Sequence, residues 1–208
     1  MKISKSKKIT TLIFDLGNVL VYYDNHIAAK RFAKECRIPL MRLWFHFFTS
    51  PLDRAITTGR ISPKEFYRRC KRQLKIDLDY STFCRYWNDI FWRNPSMECF
   101  LLQMKKRYPL YLISNTNRLH FEYIRNQYPI LQHFKRTFPS HVVGVRKPDP
   151  EIYRYVLRKI KKRPEETVYI DDVSSFVRGA RQVGMNAIRF RNKKQLIKDL
   201  KVFGVRVS

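Results

Sequence analysis

The chain has 208 residues, 44% of them hydrophobic, which suffices for one substantial core, or one core with a small accessory lobe, and argues against disorder. No apolar run approaches the roughly 20 residues that a membrane span needs, and the basic start, Met1 to Lys8, leads into a stretch, Ile9 to Leu16, that is too short for a signal peptide and carries an acid. Charge is the unusual feature: 43 Lys+Arg against 17 Asp+Glu, a formal +26, favours anionic partners, whether nucleic acid, acidic lipid or phosphorylated metabolites.

Taken in chain order, Thr10 to Phe14 is a short apolar run that predicts a buried strand ending at Asp15. From Val21 to Arg93 no convincing strand follows, only helical patterns punctuated at Pro39, Pro51, Gly59 and Pro63. Ser62-Pro63-Lys64-Glu65 predicts a helix start, with Ser62 as cap and Glu65 as its capping-box partner. Basic residues are dense from Arg54 to Lys75, yet Phe66, Cys70 and Leu74 recur at helical spacing, so the charges belong on the solvated face of an amphipathic helix. Glu98 to Arg107 is a further helical pattern, and Leu110 to Ile113 is a second strand ending at Ser114. A helix over His120 to Tyr128 follows, and then His141-Val142-Val143, before Gly144, reads as another short strand.

Asp149-Pro150-Glu151 is a clear helix start: a capping side chain, a proline at the first helical position and an acid at the positive end of the dipole. Lys147 precedes Pro148 and so belongs in extended backbone just outside that helix, which runs to Lys161 with Ile152, Tyr155, Val156 and Ile160 on its apolar face. Thr167 to Ile170 is a third strand, ending at Asp171-Asp172; a helix over Ser174 to Val183 and a fourth strand, Ala187 to Phe190, complete the pattern. The four cysteines, Cys36, Cys70, Cys84 and Cys99, show no CxxC or Cys/His spacing and read as free core thiols in a reducing, cytoplasmic compartment.

Strands rich in Val, Ile and Leu that alternate with helices predict an α/β fold, a parallel sheet sandwiched by helices. The chain between the first two strands exceeds what one crossover needs, which predicts a helical cap over residues 21–93 inserted into a core of residues 1–20 and 94–208. A parallel sheet gathers the carboxyl ends of its strands on one edge, where ligands bind. Asp15, Ser114, Asp171 and Asp172 should therefore meet in one cleft, with Lys147 positioned to join them. Clustered carboxylates raise each other's pKa unless a cation binds, and Mg2+, a hard ion that shares its sphere with water and phosphate, suits oxygen ligands of this kind.

The segments Phe14 to Leu20, Ile113 to Thr116, Arg146 to Pro150 and Ile170 to Asp172 resemble, in order, the four motifs of the haloacid dehalogenase-like hydrolases, and the resemblance spans essentially the whole chain. Ser114 to His120, Gly59 to Ser62 and Gly17-Asn18 further resemble a bacterial branch that includes alpha-glucose-1-phosphate phosphatase. The resemblance implies a Rossmann-like core with an inserted helical cap, and a magnesium-dependent phosphatase acting on a small phosphorylated metabolite. By it, Asp15 is the nucleophile that forms an aspartyl-phosphate. Asp15, the Gly17 carbonyl and Asp172 hold the metal, with Asp171 ligating directly or through water. Ser114 and the Asn115 backbone bind phosphate oxygens, and Lys147 neutralises charge on phosphate and nucleophile.

One departure matters. Most phosphatases of this superfamily carry a second Asp two residues after the nucleophile as general acid and base, and here that position is Gly17. General acid–base help is worth about 10²–10⁴-fold, so its absence favours a good leaving group such as the anomeric oxygen of a sugar 1-phosphate. Asp24 and His26 are the candidates to replace it. Haloalkanoic-acid dehalogenases also lack that Asp but dispense with magnesium, against which the pair Asp171-Asp172 argues. Trp44, Phe45, Phe47, Phe48, Trp87, Phe91 and Trp92 fall in the cap, most as its core, with one or two facing a sugar ring. The competing class is a catalytically weakened phosphate-sensing or nucleic-acid-binding module using the basic surface, although no nucleic-acid motif is present.

Overall fold

Residues 8–207 of a computed structural model are described, so all but the last residue of the basic start lies outside them. The first element, β1 (Thr11–Phe14), buries all four of its side chains. The chain next forms β2 (Val21–Tyr23) and five helices: α1 (Asn25–Cys36), α2 (Leu40–Trp44), α3 (Pro51–Thr57), α4 (Pro63–Leu74) and α5 (Tyr80–Asn88). A π-helical turn, Phe45–Thr49, continues α2, and β3 (Phe91–Arg93) brings the chain back. Then come α6 (Pro95–Met104), β4 (Leu110–Ser114), α7 (Arg118–Gln127), β5 (Arg136–Pro139) and the single turn α8 (Ser140–Val143). Next are α9 (Pro150–Ile160), β6 (Thr167–Asp171), α10 (Ser174–Gln182), β7 (Asn186–Arg189) and α11 (Lys193–Val202).

Five strands form one all-parallel sheet in the order β5-β4-β1-β6-β7, with β1 in the middle. Side chains alternate between its faces with the strand period of two. Leu12, Phe14, Leu112 and Ile170 pack against α6, α7 and α11. Ile13, Ile113 and Tyr169 face the opposite way, against α9 and α10. Burial on both faces is what makes these strands read as continuous apolar runs, and the α/β Rossmann-like architecture follows from it. Among the described residues no helix is long and apolar enough to cross a membrane.

The helices α1 to α5 enclose a separate apolar cluster built on aromatic rings. Phe32, Phe47, Phe66 and Phe83 are wholly buried in it, and the rings of Phe47 and Trp87 meet edge to face at 5.1 Å between centroids. Each such side chain contributes about 1.5–3 kcal/mol by burial. Both basic helices are amphipathic as expected, α4 burying Phe66, Cys70 and Leu74 and α9 burying Ile152, Val156 and Ile160.

Four expectations need correction. Residues 141–143 are not a strand but the end of α8, closed by Gly144 in the left-handed region at φ 85°, and Val142 is exposed. The sheet's fifth strand is the preceding β5, which pairs with β4 as far as Ser114 and Pro139, so the chain has already left the sheet edge at Ser140. Second, 21–93 does contain strands, because β2 and β3 form an antiparallel ribbon through which the chain leaves and re-enters the sheet layer. Third, Ser62 caps α4 through the Glu65 N–H, but no reciprocal bond forms: the Glu65 carboxylate turns to Arg69 at 2.7 Å and Arg68 at 3.1 Å. In so basic a chain an arginine one turn on outcompetes a backbone amide. Fourth, all four cysteines are free but not all are core, since Cys99 is exposed.

Where α3 meets α8 the two parts of the chain touch closely. The Ser140 hydroxyl donates to the Thr57 carbonyl at 2.6 Å, and Arg146 donates to Asp53 at 2.7 Å and to the Thr57 hydroxyl at 3.0 Å. Gly59, at φ 69°, lies so near the His141 carbonyl oxygen that a Cβ would stand 2.1 Å from it. Glycine is required there twice over, by backbone conformation and by space.

Candidate active site

Asp15 follows β1, Ser114 ends β4, and Asp171 ends β6 with Asp172 just beyond, so the parallel sheet brings all four to one edge. Carboxylate oxygens of Asp15, Asp171 and Asp172 lie within 4.8 Å of one another. Between the first two sits Lys147, fully buried, with Nζ 2.8 Å from Asp15 Oδ1 and 2.7 Å from Asp171 Oδ2. The ammonium also lies 4.8 Å from the centroid of the Phe176 ring, a cation–π contact that helps offset its loss of water. Asp171 is well engaged: Oδ2 accepts from Lys147 and the Tyr169 hydroxyl, and Oδ1 accepts from the Val173 N–H at 2.8 Å.

Two carboxylates thus share one ammonium, with a third alongside. Burial pushes the Asp15 carboxyl up to about 7, against the pull of Lys147 and with the help of Asp171 and Asp172. Asp172 is raised as well, by burial and by its neighbour Asp171. Burial alone would lower Lys147, but Asp15 and Asp171 hold it above its ordinary value. A set of hard oxygen donors with unbalanced negative charge fits a divalent cation, and oxygens of Asp15, Asp171 and Asp172 stand close enough together to face one.

The loop after β1 is shaped by Asn18, which adopts the left-handed region at φ 55°, a conformation Asn tolerates better than most residues. Its N–H donates to the Val21 carbonyl at 2.8 Å and closes a tight turn directly after Gly17. Gly17 carries no side chain because the Tyr23 ring fills that volume: a Cβ would stand 2.6 Å from Tyr23 Cε1. Asn115 spends its side chain on Lys147, donating Nδ2 to the Lys147 carbonyl at 2.9 Å and accepting the Lys147 N–H on Oδ1 at 2.8 Å. Its amide therefore sets the backbone that carries the lysine.

The two candidates for the missing proton donor stand elsewhere. The Asp24 carboxylate caps α1 through the His26 N–H at 2.8 Å, the His26 ring stacks on Trp44 at 4.3 Å, and neither residue lines the cleft above Asp15. Of the seven aromatics, Phe48, Trp87 and Phe91 do line it, while Phe45 and Trp92 are exposed. Tyr23, Asp53, Tyr169 and Phe176 escaped the sequence reading, since an isolated tyrosine, phenylalanine or surface-pattern Asp carries no local signal.

His120 also lines the cleft. The Trp87 carbonyl can only accept, so Nε2 carries the proton and donates to it at 3.0 Å, leaving Nδ1 to accept from Asn117 Nδ2 at 3.1 Å. Burial lowers the imidazole to about 4, from an ordinary 6.5. Between those values the unfolded chain binds the proton and the folded one does not, so this contribution is complete above about pH 6.5 and is lost as pH falls towards 4. It is expected to reach up to about 3 kcal/mol. Urea unfolding of the natural chain and of His120→Phe across that range checks this: the difference between the two, which cancels the opposite slope that Asp15 contributes, is expected to grow as pH rises from 4 to 6.5.

A model of the haloacid dehalogenase-like hydrolase family matches residues 9–184. The chain belongs to the haloacid dehalogenase-like hydrolases. Relatives of this hydrolase include the D-ribitol-5-phosphate phosphatase of Bacteroides thetaiotaomicron, 24% identical over 93% of this chain and 98% of the relative. The chloroplast flavin mononucleotide hydrolase 1 of Arabidopsis thaliana is 25% identical over 100% of this chain and 82% of its own. A HAD family enzyme of B. thetaiotaomicron, crystallised with magnesium and inorganic phosphate, shares the fold with a TM-score of 0.82 at 24% identity, over 90% of this chain and 98% of that one. The hydrolase's matched region takes in all four motif segments and both ends of the ribbon formed by β2 and β3.

Proposed function

We propose that this hydrolase is a magnesium-dependent phosphatase of small phosphorylated metabolites, working through an aspartyl-phosphate on Asp15. The observation that carries the reading is the buried triad of Asp15, Lys147 and Asp171 with Asp172 alongside, at the carboxyl edge of the sheet. Asp15 attacks phosphorus in line; the new Asp15 O–P bond forms as the bond to the leaving oxygen breaks, and water then cleaves the acyl phosphate. Lys147 favours the ionised form of Asp15 against the effect of burial and neutralises charge on the incoming phosphoryl group. Ser114 and the Asn115 backbone take phosphate oxygens.

Asp15, Asp172 and the Gly17 carbonyl would hold magnesium, with Asp171 ligating directly or through water. When bound, the ion supplies positive charge to the phosphoryl oxygens and relieves the repulsion among the acids. Residues 21–93 act in this reading as a cap over a core of 1–20 and 94–208, keeping water from the cleft. The names of the relatives, a sugar-alcohol phosphatase and a flavin mononucleotide hydrolase, support a small phosphate monoester. The absence of a side chain at Gly17, with Asp24 and His26 turned elsewhere, supports a good leaving group, a sugar 1-phosphate among them.

The test is phosphate release from a panel of sugar phosphates and 4-nitrophenyl phosphate, with magnesium and with chelator. Turnover on part of the panel, abolished by chelator, is expected; silence across the panel with magnesium present would overturn the reading.

A further inference from the structure

The cleft contradicts the surface. Of a chain with 43 Lys and Arg, the only one lining the cleft among the described residues is Lys147. That ammonium is already held by Asp15 and Asp171. The wall also carries Asp53 and Asp172. Arg146 answers Asp53 at 2.7 Å but is not itself part of the wall. His120, the remaining residue able to become cationic, has its imidazole depressed to about 4 by burial, and so stays neutral.

Away from Asp15 and Asp172 the lining is, apart from Asp53, made of apolar side chains and uncharged polar groups. Phe48 and Trp87 stack in parallel, 5.6 Å between centroids with planes 8° apart, and Phe91 and Asn25 stand in the same wall. One phosphoryl group with a bound cation is the negative charge this site can accept. A second anion would find no free cationic partner in the wall and would lose water without compensation.

We propose that the cleft selects by charge: it takes phosphate monoesters whose remainder is uncharged, and it turns away esters that bear a second anionic group. This rests on the phosphatase reading given above. The polycationic surface draws anions of every kind towards the protein, and the cleft wall then sorts them.

Three aryl esters test it: phenyl phosphate, 4-carboxyphenyl phosphate and the methyl ester of the latter, with magnesium and about 0.15 M salt to screen the surface field. The methyl ester controls for size, and both substituents make the phenol a better leaving group, so chemistry alone would favour the carboxylate over phenyl phosphate. Expected is a kcat/KM for the carboxylate at least tenfold below both uncharged esters, with the gap narrowed several-fold in Asn25→Lys. A carboxylate hydrolysed as fast as its methyl ester overturns the proposal. If none of the three is hydrolysed, the phosphatase reading fails separately, and calorimetric binding of the intact esters decides charge selection: the same order sustains it, equal affinities sink it.

Discussion

Asp15→Asn is expected to abolish phosphate release, by on the order of 10⁴–10⁶-fold, the scale on which removing a nucleophile acts in covalent catalysis. An amide has neither the charge nor the free oxygen pair to attack phosphorus, while its size keeps the loop after β1 in place. Folding should survive, because Lys147 retains Asp171 at 2.7 Å. Mass spectrometry of acid-quenched reactions should find a phosphoryl adduct on the natural chain and none on the variant. Residual turnover within tenfold of the natural chain would mean that another group attacks phosphorus, and the assignment of Asp15 would fall.

Lys147→Met should cost both activity and stability. The lysine is fully buried between two acids, so a similar-sized apolar side chain leaves Asp15 and Asp171 without their shared counter-charge. Breaking a buried pair from one side costs about 3–5 kcal/mol. The loss has a definite pH sign. With the ammonium gone, Asp15, already raised to about 7, is raised further above its unfolded value. The folded state then binds more protons than the unfolded one, so the variant is destabilised more as pH rises. Urea unfolding in chelator at about pH 5 and pH 8 checks this, and the deficit should be larger at the higher pH. Magnesium should recover part of it, since a cation bound only by the folded chain stabilises that chain. A deficit that ignores both pH and magnesium would show that Lys147 matters for packing rather than for charge.

The site residues were legible for one reason. A parallel strand buried on both faces must be apolar throughout, so β1, β4 and β6 each end where a polar residue first becomes tolerable, and that residue stands on the binding edge. The same logic misled at His141-Val142-Val143, where a β-branched pair lies in an exposed helical turn rather than in the sheet. The ribbon of β2 and β3 was invisible because three residues a side are too few to show alternation. Asp24 and His26 looked available only because sequence neighbours of a cleft are not thereby its walls; their side chains satisfy each other and the start of α1.

By itself the sequence determined the layered α/β architecture, the three strand-end motifs and the acids they deliver, since apolar periodicity and abrupt polar breaks are local properties. Only the tertiary structure decided that Lys147 is fully buried and bonded to both Asp15 and Asp171, that Asn115 holds its backbone, that Tyr23 fills the space beside Gly17, and that the cleft wall of a +26 protein is nearly free of positive charge. Those outcomes depend on which distant segments come within about 3–4 Å, where hydrogen bonds and desolvated charges act, and no spacing along the chain encodes that distance.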